Sequence, residues 1–206
     1  MEVEGIVLRP AARSEAAVIE RLVNVSSFGL ARYVWSVMAP GEDPKETGRS
    51  SIEGDEGSLS WRTATLAEIG GRVAGLVMTN RMPPPSGMFL DPLAVLRPQA
   101  ELRKRVVGAQ HVTFLVTAAR FRRQGVGRAL LGEAERQAGG AMGLSLIVSD
   151  RNAAARRLYD GFGFREIARV PAVRQGWRSP TQAWVLMLKP VGGRASSKPR
   201  AGTLHS

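Results

Sequence analysis

The feature that most constrains the fold is an alternation near the middle of the chain: "QHVTFLVTA" (Gln110 to Ala118), then "GVGRALLGEAERQAGG" (Gly125 to Gly140), then "LSLIVS" (Leu144 to Ser149). The outer two are short apolar runs of strand length, whereas the middle one places Val126, Leu130 and Ala134 on one helical face and closes on glycines. A strand that returns to its sheet through a helix lies parallel to the one it left. "LSLIVS" is apolar enough to be covered on both faces, so this pair belongs at the heart of a sheet.

The flanking sequence adds antiparallel strands. "GIVLRPA" (Gly5 to Ala11) reads as an opening strand ended by proline, followed by a helix that Ser14 is expected to cap, with Val18, Leu22 and Val25 at helical spacing. "FGLARYVWSVMA" (Phe28 to Ala39) predicts a second helix, and the polar stretch Gly41 to Ser58 predicts a long loop. Gly70-Gly71 divides "WRTATLAEIGGRVAGLVMTN" into a hairpin. The proline-rich segment from Arg81 to Val106 predicts a loop with one short helix; "NAAARRLYDGFGF" (Asn152 to Phe164) predicts a helix ended by glycine; "FREIARV" and "AWVLMLK" predict two last strands. The sum is a mixed α/β domain over residues 1–190. The remaining 191–206, rich in Gly and Ser with only basic charges, are expected to be a disordered tail.

With no cysteine among 206 residues, disulfides, thiolate metal sites and a thiol nucleophile are excluded. The N-terminal sequence lacks the basic and apolar regions of a signal peptide, and no apolar run approaches the roughly 18 residues of a membrane helix. A cytoplasmic protein without membrane partners is the expectation. The formal net charge of +11 favours polyanionic partners. Nucleic acid is one such class, but neither aromatic-basic interleaving nor a helix-turn-helix pattern supports it.

The sharpest local signal is "FRRQGVGRALL" (Phe121 to Leu131), between the middle strand and its helix. The first amides of a helix have no intrahelical partner and carry partial positive charge. Gly125 and Gly127 allow a bulky anion to approach them, and Arg122, Arg123 and Arg128 add full charges, which describes a phosphate cradle. The same glycines also suit tight helix-strand packing in a basic surface turn. A P-loop needs GxxxxGK[ST], and the dinucleotide fingerprint needs a third glycine where Leu130 stands, so neither applies.

Two motifs in order resemble the GNAT family of N-acetyltransferases. "RRQGVG" is similar to that family's [QR]-x-x-G-x-[GA] signature, and "NAAARRLYDGFGF" to its N-x-x-A-x-x-L-Y-x-x-x-G-F signature. The resemblance implies a single-domain GNAT fold, a mixed sheet of six or seven strands with about four helices, splayed at the acyl-CoA site. It implies that Arg122, Arg123, Gln124, Gly125, Val126, Gly127 and Arg128 hold the pyrophosphate of acetyl-CoA, and that backbone at Leu115, Val116 and Thr117 pairs with its pantetheine arm. No metal is implied.

The resemblance further implies direct acyl transfer to an amine, with Tyr159 as general acid; the alternative is an amphipathic core tyrosine. Asn152 either contacts CoA or caps its helix. Relatives carry a glutamate on the strand that here has none. His111 is the candidate base on that strand, with a structural histidine as the alternative, and Glu101 or Asp91 would act through water. Tyr33, Trp35, Trp61 and the acidic stretch Glu42 to Glu56 either shape the acceptor site or are core aromatics and a solvated loop. The expected partners are acyl-CoA and an amine acceptor, with a homodimer considered. A sensor that binds acyl-CoA without turnover is the competing function.

Overall fold

In a computed structural model, residues 5–83 and 93–190 are described. They form one seven-stranded sheet in the order β1-β2-β3-β4-β5-β7-β6. The strands are β1 (Ile6–Pro10), β2 (Ala64–Ile69), β3 (Arg72–Arg81), β4 (Gln110–Thr117), β5 (Leu144–Ser149), β6 (Arg165–Pro171) and β7 (Ala183–Lys189). Six helices accompany them: α1 (Ala16–Ser26), α2 (Leu30–Met38), α3 (Pro44–Glu53), α4 (Arg97–Arg103), α5 (Val126–Gln137) and α6 (Ala153–Phe162). Every pairing is antiparallel except β4 with β5, which the α5 crossover makes parallel.

Gly70 and Gly71 turn β2 into β3 with φ of +56° and +68°, the two positive values a tight hairpin needs. Alternation along the strands then divides the core. Leu66, Leu76 and Met78 pack under α1 and α3 with Ile19 and Ile52, while Ala67 and Val77 face Val126, Leu130 and Ala134 of α5. A third cluster joins α4 to β7 through Leu102, Trp184 and Leu186.

Three expectations need correction. The stretch read as a loop from Gly41 to Ser58 contains α3, started by Asp43, whose carboxylate accepts from the Lys45 amide at 2.9 Å, with Pro44 in the first turn. Polar composition hid it, because Ile52 is its only fully buried large side chain and supplies roughly 1.5–3 kcal/mol of anchoring. Ser14 does not cap α1. It lies in a short 3-10 turn (13–15), where the Glu15 carboxylate reaches back to the Ala12 amide at 2.8 Å. Among the described residues the helices number six, against the about four expected, within the mixed α/β fold as anticipated. The expected tail at 191–206 and residues 84–92 of the proline-rich segment, including Asp91, lie outside the described residues.

Candidate active site

The site begins where the sheet stops being continuous. β4 and β5 pair only through Gln110–Leu144, His111–Ser145 and Val112–Leu146. In the next step β3 pairs Met78 with Phe114 but Thr79 with Val112, so Thr113 is an extra, bulged residue on β4. A bulge bends its strand and strengthens local twist. Beyond it Leu115, Val116 and Thr117 remain paired with Val77, Leu76 and Gly75 of β3 and have no partner on the β5 side. The result is a V-shaped opening with free backbone along one edge, a surface that an amide-bearing chain satisfies.

A cavity of about 250 Å³ fills this V. Thr113, Phe114 and Leu115 line it from β4, Ile147, Val148 and Ser149 from β5, Asn152 and Tyr159 from α6. The Tyr159 side chain leans on the Phe164 ring, centroids 5.8 Å apart, and its hydroxyl has no hydrogen-bond partner among the described residues. Burial raises the phenol above its ordinary pKa, so it is protonated at neutral pH.

At the far end of β4 the chain enters α5. Arg123 and Gly125 both take positive φ, +64° and +83°, and Gly125 occupies the N-cap without any side-chain cap. The first-turn amides of a twelve-residue helix therefore lack a side-chain partner. Arg122 and Arg123 are exposed and unpaired among the described residues, and Arg128 sits over the Phe162 ring at 5.6 Å. Gly127 serves packing, since a Cβ there would lie 3.0 Å from Leu158 Cδ2 on α6. Gly125 thus takes the left-handed conformation at the N-cap, whereas Gly127 lets α6 approach. A helix entrance with uncapped amides, an unpaired strand edge and a protonated phenol thus lie on the elements that border the V.

The profile of the Acetyltransferase (GNAT) family matches residues 32–164. The chain belongs to the GNAT acetyltransferase family. An acetyltransferase crystal structure shares 19% identity at TM-score 0.63, covering 90% of this chain and 100% of that one. The yncA protein of Salmonella typhimurium, solved with its cofactor acetyl-CoA, shares 17% identity at TM-score 0.61 over 95% of this chain and 99% of its own. An N-acetyltransferase of Staphylococcus aureus Mu50 shares 15% at TM-score 0.58, covering 88% and 99%. No functionally curated protein is detectably similar in sequence.

In this GNAT chain the other predicted site residues are dispersed. Asn152 caps α6, accepting from the Ala155 amide at 3.2 Å, and also lines the cavity. His111 lies in the cavity wall almost fully buried, with Nδ1 2.9 Å from Ser145 Oγ. Burial, then the charge of Arg103, pushes its pKa down to about 3, so His111 is neutral and a very weak base. Glu101 is exposed and paired with Lys104 at 2.6 Å, away from the cavity.

Of the aromatics, only Trp35 lines the cavity. Tyr33 donates to the Gln175 carbonyl at 2.6 Å, and Trp61 packs under Arg62. Within the acidic stretch, Arg49 pairs with Glu46 and Glu53, and Arg62 pairs with Asp55. The one short helix expected in the proline-rich segment is α4, and what sequence reasoning missed is its role: it brings Gln99 and Arg103 into the cavity wall one helical turn apart. That i, i+4 spacing was present in "RPQAELR", but nothing local in the sequence tied it to the cavity.

Proposed function

We propose that this GNAT protein is an N-acetyltransferase that moves acetyl from acetyl-CoA to a primary amine by direct attack. The observation that carries the reading is the Tyr159 phenol, protonated and without a partner, in the wall of a cavity bounded by the unpaired edge of β4. When bound, acetyl-CoA supplies a thioester acyl group: a C–N bond forms, the C–S bond breaks, and one proton passes from nitrogen to sulfur.

The chain's own residues divide the remaining work. Arg122, Arg123, Arg128 and the amides of Val126 and Gly127 bind and orient the pyrophosphate, while Leu115 to Thr117 hold the arm in register with the cavity. Tyr159 keeps a proton at its phenolic oxygen, donates it to the departing sulfur and recovers one from nitrogen. Asn152 fixes the start of α6 and thereby the tyrosine's position. His111, neutral and weakly basic, is left as a wall residue. With no carboxylate in the cavity wall among the described residues, the amine must arrive neutral. At pH 7.4 that costs about 4 kcal/mol for a lysine-like amine of pKa 10.4, and under about 1 kcal/mol for an α-amine near 8.

The missing base also motivates the sensor reading, and one assay separates the two. Purified protein with acetyl-CoA and a broad amine panel should release CoA thiol, read with a thiol reagent, in proportion to acetylated amine by mass spectrometry. Saturable acetyl-CoA binding with no thiol release above the amine-free rate across the panel would replace the enzyme reading by the sensor.

A further inference from the structure

The cavity wall also holds a charge that is uncompensated among the described residues. Arg103, on the last turn of α4, has no hydrogen bond or ion pair among the described residues, and no carboxylate lines the cavity there. Arg103 and His111 line the same cavity, and the charge of the guanidinium lowers that imidazole's proton affinity. One turn earlier, the Gln99 side chain is buried, lines the same cavity and leaves its carboxamide without a partner. Trp184, also in the wall, leaves its indole N–H unbonded. The other walls are mostly apolar, with Leu30, Val34 and Trp35 from α2.

A guanidinium withdrawn from water without a counter-charge costs several kcal/mol unless an anion completes it. Arginine presents a planar fork that matches a carboxylate or phosphonate bidentately, and Gln99 adds a neutral donor beside it. A cavity of about 250 Å³ is also at the small end for ligand sites, which suits a compact acceptor better than a long polyamine. We propose that the acceptor is a small amine that also carries an anionic group, an amino acid or aminophosphonate, with the anion held by Arg103 and Gln99 and the amine directed at the thioester beside Tyr159.

This rests on the acetyltransferase reading and deepens it. The arrangement supplies what the missing base does not: a fixed positive charge near the amine disfavours its ammonium form. It also rejects acceptors that carry only positive charge.

The test compares matched acceptors: twenty L-amino acids, their carboxamides, their decarboxylated amines and a set of aminophosphonates. Turnover is read as thiol release with wild type, Arg103→Gln, Arg103→Lys and Gln99→Leu, each first checked for folding by thermal melt. For at least one acid the wild type should exceed the matching carboxamide by about 30-fold or more in kcat/KM. Arg103→Gln should collapse that acid-to-amide ratio toward one with acetyl-CoA KM nearly unchanged, and Arg103→Lys should recover part of it. Phosphonates exceeding carboxylates would identify the anion within the same class. Carboxamides or simple amines used as well as acids, or an acid-to-amide ratio unmoved in Arg103→Gln, would overturn the proposal.

Calorimetric titration of the same compounds into CoA-loaded protein keeps the two readings apart. Acid-selective binding lost in Arg103→Gln, without turnover, retains the anion site and sinks the enzyme. Turnover of amines without anion preference sinks the anion site and retains the enzyme. Neither binding nor turnover of any anionic amine sinks the anion site.

Discussion

At the scale of single residues, two groups with opposite titration behaviour share one cavity, and each makes a separate prediction. Tyr159 is held protonated by burial, so its proposed role is to donate. Tyr159→Phe keeps the ring against Phe164 and removes only the O–H, so kcat should fall by about 10²–10⁴-fold while acetyl-CoA KM changes little. Steady-state kinetics decide it, and unchanged kcat would reduce Tyr159 to packing. His111 is held neutral. Its folded pKa of about 3 lies below the unfolded value near 6.5, so between those limits the unfolded chain binds more protons. Stability is therefore level in this group above about pH 7 and falls as pH drops through that window, by about 2 kcal/mol between pH 6.5 and 5. Urea unfolding of wild type and His111→Gln at both pH values should show the slope in the first and a smaller one in the second. The pH profile of kcat should lack an inflection near 6.5 that His111→Gln removes.

At the scale of elements, the entrance to α5 makes two separable demands. Gly125 sits at φ +83°, so Gly125→Ala should cost about 1–2 kcal/mol of stability and raise acetyl-CoA KM by disturbing the cradle amides. Arg122→Ala with Arg123→Ala touches exposed side chains only. It should leave the melting temperature within about 2 °C, raise acetyl-CoA KM several-fold and flatten its dependence on salt. The uncapped, basic entrance to α5 was readable in the sequence because glycine geometry and charge both act locally, within seven residues. The same locality made the hairpin and the α5 and α6 boundaries readable. α3 was not, because its start signal is a single Asp43-Pro44 pair and its attachment to the core is one isoleucine, so periodicity had nothing to register. The Thr113 bulge was likewise hidden in β4, since its displacement exists only relative to the register of β3.

At the scale of the whole molecule, the sheet is two antiparallel blocks, β1 to β4 and β5 to β7, joined by three residue pairs at the closed end of the V. That junction explains why the elements proposed to hold the donor were legible and those that wall the cavity were not. The donor elements are consecutive in sequence, whereas the cavity wall is assembled from α2, α4, β4, β5, α6 and β7, which meet only after the blocks join. Arg103 and Trp184 come from opposite ends of that list, and no short-range pattern couples them. The seam has a thermodynamic consequence. A ligand lying in the V contacts both blocks in the folded chain and neither in the unfolded one, so it stabilises the folded state by mass action. At a hundred times its dissociation constant the gain is about 2.7 kcal/mol, which for a chain of this length raises the melting temperature by about 5–10 °C. Acetyl-CoA should produce that shift in a thermal melt, and hydrogen exchange should slow most at Leu115 to Thr117 and the first turn of α5. Arg103→Gln should leave the shift intact, whereas Arg122→Ala with Arg123→Ala, weakening acetyl-CoA several-fold, should lower it by about a third at the same ligand concentration. A shift without protection of the β4 edge would place acetyl-CoA outside the V.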